Sequence, residues 1–146
     1  MNTTVLGSGA WGTALALLLH RNGHAVTLWG HDPADLADLA ATRRNPRYLP
    51  GVELPAGWRA EPDARTACSG ADLVVMAVPS RGVREVAAAL AGYAGLVVSV
   101  TKGIEFASGL TMSGVIESAA LRAAVVALSG PTLAAEVARG LPAAIV

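Results

Sequence analysis

The sequence predicts an α/β fold with a doubly wound, mostly parallel sheet that carries helices on both faces. The chain opens with a strand, a glycine-rich turn and a helix within residues 3–20. Later strand candidates are apolar throughout instead of alternating, which is typical of parallel strands buried on both faces. Helical patterns lie between these strands. Together the three observations predict a Rossmann-type domain.

The glycine-rich turn Gly7–Gly12 joins the strand Thr3–Leu6 to a helix that runs to His20. In the pattern GxGxxG, each glycine removes a Cβ that would block the tight turn, the approach of a pyrophosphate or the packing of helix on strand. The pattern alone is weak evidence, because a glycine-rich turn also caps ordinary helices. A second apolar strand at Ala25–Trp29 follows within the roughly 30 residues of a βαβ unit. The context therefore predicts a nicotinamide or flavin nucleotide bound at this turn.

The remaining elements are predicted in chain order. A helix begins at Pro33, behind Asp32 as N-cap, and runs to about Arg44. Residues 45–63 hold four prolines and predict a long loop with a short strand near residues 58–60. Further strands are predicted at residues 71–78, 95–100 and 123–128, and further helices at residues 80–90, 111–121 and 132–139. Residues 140–146 indicate a turn that enters another apolar strand, so we expect the complete protein to be longer.

Composition narrows the classes of partner. The 146 residues fit one domain, and the 11 basic and 11 acidic residues are scattered without runs. This balance argues against a nucleic-acid surface or a polybasic membrane anchor and favours small-molecule partners. The single cysteine, Cys68, excludes an internal disulfide and a thiolate metal site, so we expect no metal and a cytoplasmic location. Apolar stretches are interrupted before they reach the roughly 18–20 residues of a membrane span.

The candidate site residues follow the strands, because a doubly wound sheet binds ligands beyond the carboxyl ends of its strands. At the first turn, the main-chain N–H groups of Gly7–Gly12 and the helix N-terminus would face a pyrophosphate. Trp11 would either shield the cofactor or pack on the sheet, and the sequence leaves both open. After the second strand, Gly30 stands where a ribose-binding acid is usual. Without that carboxylate, and with His31 as a hydrogen-bond donor, we expect NADP to be tolerated as well as NAD.

Two later turns add polar groups. Lys102 follows the strand at residues 95–100 and is the sole lysine among the basic residues. Its ammonium suits a phosphate or a polarised carbonyl oxygen. Gly130 and Pro131 fix a rigid turn after the strand at residues 123–128. Thr132 is then expected to start a helix whose free N–H groups form a second anion site, or a capping box with Glu136.

Five segments, in this order along the chain, resemble the bacterial NAD(P)-dependent glycerol-3-phosphate dehydrogenases. They are Gly7–Ala16, Leu28–Asp32, Ala77–Ser80, Thr101–Glu105 and Ser129–Glu136. The resemblance implies reversible hydride transfer between NAD(P)H and dihydroxyacetone phosphate, which gives sn-glycerol 3-phosphate for phospholipid synthesis. It also implies a second, all-helical substrate domain that supplies a proton-transfer lysine. Residues 1–146 would then be the dinucleotide-binding domain, which alone binds nucleotide but turns over little or no substrate.

The resemblance also implies roles for individual residues. Nucleotide contacts are expected from Gly7, Gly9, Ala10, Trp11, Gly12, His31, Tyr48, Lys102 and Ala134. Substrate contacts are expected from Lys102, Gly130 and Thr132. Charge that develops on the carbonyl oxygen would be met by Lys102 together with the lysine of the second domain.

Other readings of the sequence stay open. Another two-domain dehydrogenase, of the hydroxyacid or ketopantoate type, shares the first turn. A nucleotide-sensing module would bind NAD without catalysis, and an inert structural domain would bind no nucleotide. A homodimer is also open, because an exposed seam against a further domain could drive pairing.

Overall fold

The computed structural model describes residues 1–144 and contains one parallel sheet and one antiparallel hairpin. The strands are β1 (Asn2–Leu6), β2 (Ala25–Trp29), β3 (Arg44–Asn45), β4 (Leu49–Glu53), β5 (Arg59–Ala60), β6 (Leu73–Met76), β7 (Leu96–Ser99) and β8 (Ala124–Ala127). The helices are α1 (Ala10–Arg21), α2 (Pro33–Thr42), α3 (Ala64–Cys68), α4 (Val83–Ala87), α5 (Met112–Ala119) and α6 (Ala134–Ala138). Short 3-10 turns at Ser80–Gly82 and Ala88–Leu90 flank α4.

The sheet has the strand order β5-β2-β1-β6-β7-β8, and its neighbouring strands are all parallel. From β1 the chain adds β2 and β5 on one side and then β6, β7 and β8 on the other. The boundary between β1 and β6 is therefore the switch point, where doubly wound sheets open a crevice for ligands. The glycine-rich turn lies at this point, since it follows β1 directly and Ala77 N, just beyond β6, donates to Leu6 O (2.8 Å). The predicted Rossmann-type fold is therefore confirmed.

Each face of the sheet carries its own core. Along β1 and β6, Val5 and Val75 face a core that includes residues of α1, α2 and α6. Their neighbours Leu6 and Met76 face a core that includes residues of α3, α4 and α5. Because successive side chains of a strand point to opposite faces, both sets of positions must be apolar. The apolar runs of β6 and β7 thus have the expected cause, whereas burial on both faces was wrong for the edge strand β8, where Val126 is 49% exposed.

The predicted N-cap of α2 is confirmed, but the helix ends earlier than predicted. The Asp32 carboxylate accepts hydrogen bonds from Ala34 N (2.8 Å) and Asp35 N (3.2 Å), as an N-cap should. The helix stops at Thr42 because Arg43 adopts a left-handed conformation with φ of 55°. That turn starts the hairpin of β3 and β4, so the prediction of an irregular loop from residue 45 was wrong. Its short strand is confirmed as β5.

The last helix also differs from prediction. It begins at Ala134 behind Leu133, and the cap makes no side-chain hydrogen bond within the described part of the chain. Thr132 therefore does not start the helix, and the capping box with Glu136 does not form in the described part of the chain. Residues 141–144 are not assigned to a strand, and residues 145–146 of the strand predicted there lie outside the described residues. No helix within residues 1–144 combines the length and apolar character needed to cross a membrane.

Candidate functional site

Two glycines of the opening turn are required by the protein's own packing. Gly7 has a φ of 125°, and a Cβ built on it would lie 2.5 Å from Ala77 O. A Cβ on Gly12 would lie 1.8 Å from Gly7 O, so the start of α1 packs directly onto the turn. These contacts fix the first and third positions of the pattern for structural reasons.

Gly9 is different, because the space beside it is open. A Cβ on Gly9 would meet no atom of the described residues within 4 Å. Gly9 is the N-cap of α1, and its carbonyl accepts the hydrogen bond of Thr13 N (2.9 Å). The first N–H groups of a helix lack intrahelical partners and carry its positive dipole end. Since the first turn of α1 contains no acidic residue, this end suits an anion that approaches over Gly9.

A cleft of about 220 Å³ lies beside this turn and is called the main cleft here. Its lining residues are Trp11, Val100, Lys102, Leu128, Ser129, Gly130 and Thr132. They come from α1 and from the turns that follow β7 and β8. The structure thus brings together four of the sequence-predicted site residues, Trp11, Lys102, Gly130 and Thr132. Trp11 packs against the core of its face, as one of its two expectations has it, and it also lines the main cleft; shielding of a cofactor stays a prediction.

Lys102 is exposed, and its ammonium is directed across the main cleft. Its Nζ donates a hydrogen bond to Gly130 O at 3.0 Å. The preceding residue is anchored, because Thr101 Oγ1 donates to Val78 O at 2.7 Å beyond the end of β6. An ammonium held by one carbonyl keeps two further donors for a ligand.

The loop after Lys102 is pinned to α4 by an ion pair. Arg84 Nε donates to Glu105 Oε1 (2.7 Å), and Arg84 Nη2 donates to Glu105 Oε2 (2.6 Å). Ser108 Oγ also donates to this carboxylate. Hydrogen bonds from Arg84 and Ser108 lower the pKa of Glu105 from 4.5 to about 2. The pair anchors the loop three residues beyond Lys102 to α4.

Tyr48 lies in a separate cleft of about 170 Å³, called the hairpin cleft here, whose walls include Ser8 and Asn45. The ring of Tyr48 is half-exposed, with the guanidinium carbon of Arg47 5.0 Å from its centroid. Arg47 in turn pairs with Asp35 at 3.1 Å. Tyr48 therefore stands next to the glycine-rich turn but apart from Lys102.

His31 lies beyond the end of β2 and outside the residues that line both clefts. It is exposed, and its ring meets Trp29 edge-on at 6.5 Å between centroids. There is a steric reason for a glycine at the neighbouring Gly30, because a Cβ there would lie 2.5 Å from Ser8 Oγ. A larger side chain at this position would therefore require the Ser8 side chain to move. Ala10 and Ala134 are the first residues of α1 and α6, two helices that pack against each other.

Sequence reasoning missed Asn45, which the structure places under the glycine-rich turn. The side chain is 6% exposed, and its Nδ2 donates to Ser8 O at 2.8 Å. The signal in the sequence is weak: one amide stands between arginines and a proline in a segment that resembles a loop.

Comparison with known proteins agrees with this geometry. The family model described as NAD-dependent glycerol-3-phosphate dehydrogenase N-terminus matches residues 2–146. A glycerol-3-phosphate dehydrogenase of the NAD(P)+ type from Anaeromyxobacter sp. (strain K) is 48% identical over 99% of this chain and 46% of its own length. The glycerol-3-phosphate dehydrogenase structure from Coxiella burnetii superposes with a TM-score of 0.90 at 33% identity, over 99% of this chain and 45% of that one. The chain thus spans about half the length of these relatives.

A ketopantoate reductase structure from Ralstonia eutropha JMP134 is also similar, at a lower level. Its TM-score is 0.70 with 26% identity, and it covers 88% of this chain and 41% of its own. The two-domain dehydrogenase of ketopantoate type, which the first turn left open, therefore shares the fold at lower similarity.

Proposed function

The chain belongs to the family of NAD-dependent glycerol-3-phosphate dehydrogenase N-termini, and from this premise we propose that it binds NAD or NADP for that reaction. Residues 1–146 would be the dinucleotide-binding domain of the enzyme. The observation that carries the proposal is the open space at Gly9, beside two glycines that the protein's own atoms already confine. A small residue with unfilled space at a helix N-terminus is what a diphosphate needs in order to reach main-chain N–H groups.

Each part of the site has a role in this proposal. Main-chain N–H groups around Gly9 and Ala10 would hold the diphosphate. Trp11 would cover the nucleotide where it enters the main cleft, and Tyr48 and His31 would contact its adenosine side. Gly30 leaves the end of β2 without a carboxylate, so a 2′-phosphate meets no repulsion there, and both nucleotides are accepted.

Dihydroxyacetone phosphate is the proposed substrate, and the nicotinamide supplies a hydride to its carbonyl carbon when bound. Lys102 would stabilise the charge that develops on the carbonyl oxygen, because its ammonium retains donors directed into the main cleft. Gly130 and Thr132, on the opposite wall, would contact the phosphorylated substrate. Substrate and nucleotide are then held in contact, which removes the entropic cost of their encounter.

Proton transfer to the oxygen would need a further group, which we assign to a lysine of a helical substrate domain in the remaining length of the protein. The chain alone would bind nucleotide and turn over little or no substrate. The product, sn-glycerol 3-phosphate, would serve phospholipid synthesis. The cytoplasmic location and the homodimer stay predictions.

Calorimetric titration of the chain with NADH and with NADPH tests the proposed function. We expect binding of one nucleotide per chain for each ligand. Heats no larger than those of buffer dilution would contradict the proposal and favour an inert structural domain. Adding dihydroxyacetone phosphate to the NADH-loaded protein separates the dehydrogenase from a nucleotide sensor. A sensor has no use for a cation at Lys102 and should give no further heat of binding.

A further inference from the structure

We propose that Asn45 is a positioning residue that orients the peptide between Ser8 and Gly9, and through it the N–H group offered to the diphosphate. This inference rests on the proposed function, because it assigns a role within nucleotide binding. Asn45 belongs to the hairpin of β3 and β4, an element that lies outside the βαβ unit of the glycine pattern.

The side chain of Asn45 is buried and its polar atoms are engaged. Nδ2 donates to Ser8 O and to Thr13 Oγ1, both at 2.8 Å. Thr13 is fully buried, and its Oγ1 donates to the same Ser8 O at 3.2 Å. Two donors from different elements therefore converge on one carbonyl of the glycine-rich turn.

This convergence matters because of peptide geometry. A trans peptide is planar, so its C=O and N–H groups point in opposite directions. Holding Ser8 O toward Asn45 and Thr13 directs the N–H of Gly9 away from them. Glycine permits many backbone conformations, so this peptide would otherwise be free to rotate. Asn45 and Thr13 thus restrict the orientation of the peptide between Ser8 and Gly9.

The same side chain links the turn to the hairpin cleft. Asn45 Oδ1 accepts a hydrogen bond from Tyr48 N at 3.3 Å. Tyr48 is the residue proposed to contact the adenosine side of the nucleotide. One amide therefore sets the position of groups at the diphosphate and at the adenosine together.

The test compares Asn45→Ala with Leu54→Ala in the full chain. Leu54 is 3% exposed and packs in the core on the same face of the sheet, so its truncation also lowers stability without touching the turn. We expect both variants to lower the Tm, and Asn45→Ala alone to weaken binding of NADH and of ADP-ribose by about tenfold. ADP-ribose keeps the diphosphate and lacks nicotinamide, so a shared loss locates the effect at the diphosphate.

Asn45→Asp provides a second variant of the same size. It keeps an acceptor for Tyr48 N but places an oxygen against Ser8 O, so the same loss of affinity is expected. In both Asn45 variants the amide resonance of Gly9 should shift in the nitrogen–proton NMR spectrum, whereas in Leu54→Ala it should stay in place.

Several outcomes would overturn the inference. They are unchanged affinity in either Asn45 variant, an equal loss of affinity in Leu54→Ala, an unmoved Gly9 resonance, or failure of both Asn45 variants to fold, which would make Asn45 purely structural. The proposed function fails in a different way, because the unmodified chain would then bind neither NADH nor ADP-ribose.

Discussion

Gly9 and Gly12 stand three residues apart in one turn, yet they are glycines for different reasons. Gly12 is confined by the carbonyl of Gly7, whereas Gly9 faces open space. At Gly9 the backbone φ is −70° and ψ is −177°, which an alanine adopts without strain. The two positions therefore separate the demands of folding from the demands of binding.

Alanine substitutions at these two positions should affect different properties, mainly stability at Gly12 and mainly nucleotide affinity at Gly9. Gly12→Ala is expected to lower stability by about 1–3 kcal/mol or more, because its Cβ overpacks against Gly7 O. Gly9→Ala should lower the Tm much less than Gly12→Ala and weaken NADH binding by about tenfold or more, or about 1.4 kcal/mol. Thermal unfolding and calorimetric titration of both variants check this. A fall in Tm for Gly9→Ala with unchanged affinity would contradict the assignment of the diphosphate site.

At this scale the sequence predicted residue types but not every reason for them. The spacing of Gly7, Gly9 and Gly12 predicted the turn, because a local pattern suffices for that. The steric cause of Gly30 and the role of Asn45 depend on contacts with Ser8, and Asn45 lies 37 residues from it along the chain. The first contact exists only once β2 pairs with β1, and the second only once the hairpin folds back onto the turn.

At the scale of elements, the loop of residues 101–111 behaves as a closed unit. Thr101 anchors its start to Val78 O, and Glu105 anchors its middle to Arg84. Glu105 N also donates to Leu110 O (2.8 Å), and residues Ile104 and Thr111 form an antiparallel bridge. Lys102 is thereby carried on a short stretch between two fixed points.

The ion pair predicts a pH dependence of stability. The pKa of Glu105 is lowered to about 2 in the folded chain, so its stabilising effect is complete above its ordinary value of 4.5 and is lost as the pH falls toward 2. Glu105→Gln should lower the Tm near neutral pH, and its difference from the unmodified chain should shrink across this acid range. Thermal unfolding at several pH values measures it. Glu117→Gln, on the exposed side of α5, is the control, and an equal response there would assign the effect to general charge.

Element boundaries show where sequence patterns failed. The hairpin of β3 and β4 was missed because Pro50 and Gly51 lie within β4, and such residues usually argue against a strand. They are tolerated here because β4 pairs with a single neighbour, β3, so its other edge needs no partner. α6 begins after Thr132 because Leu133 takes the extended backbone of the cap, which no side-chain pattern announced.

At the scale of the whole molecule, the site is a consequence of sheet topology. Apart from Trp11 of α1, the residues that line the main cleft follow the carboxyl ends of β7 and β8, on one side of the switch point. The class of fold and the involvement of strand ends were predictable, because uninterrupted apolar strands that alternate with helices are typical of a parallel sheet. The sequence did not predict which turns meet in one cleft. Lys102 and Gly130 are 28 residues apart and converge only through the packing of the strands.

Turnover belongs to this scale, because the chain spans 46% of a relative's length and we propose that turnover needs the remaining part. In an enzyme of that length, Lys102→Ala is expected to lower kcat by about 10²–10³-fold, as loss of a group that stabilises an oxyanion does. Its Kd for NADH should change little, because the diphosphate contacts remain. Steady-state kinetics with dihydroxyacetone phosphate and NADH titration measure both. Arg122→Ala is the control, because Arg122 is an exposed cation outside the residues that line the main cleft. Unchanged turnover in Lys102→Ala would show that Lys102 has no catalytic role.

The position of Lys102 also has a practical use. Since the other basic side chains of this sequence are arginine and histidine, an amine-reactive reagent finds one ammonium side chain here besides the chain terminus. Acylation would thus deliver a fluorophore to the rim of the main cleft without any engineered cysteine, and ligand occupancy could be followed by the protection it gives against labelling.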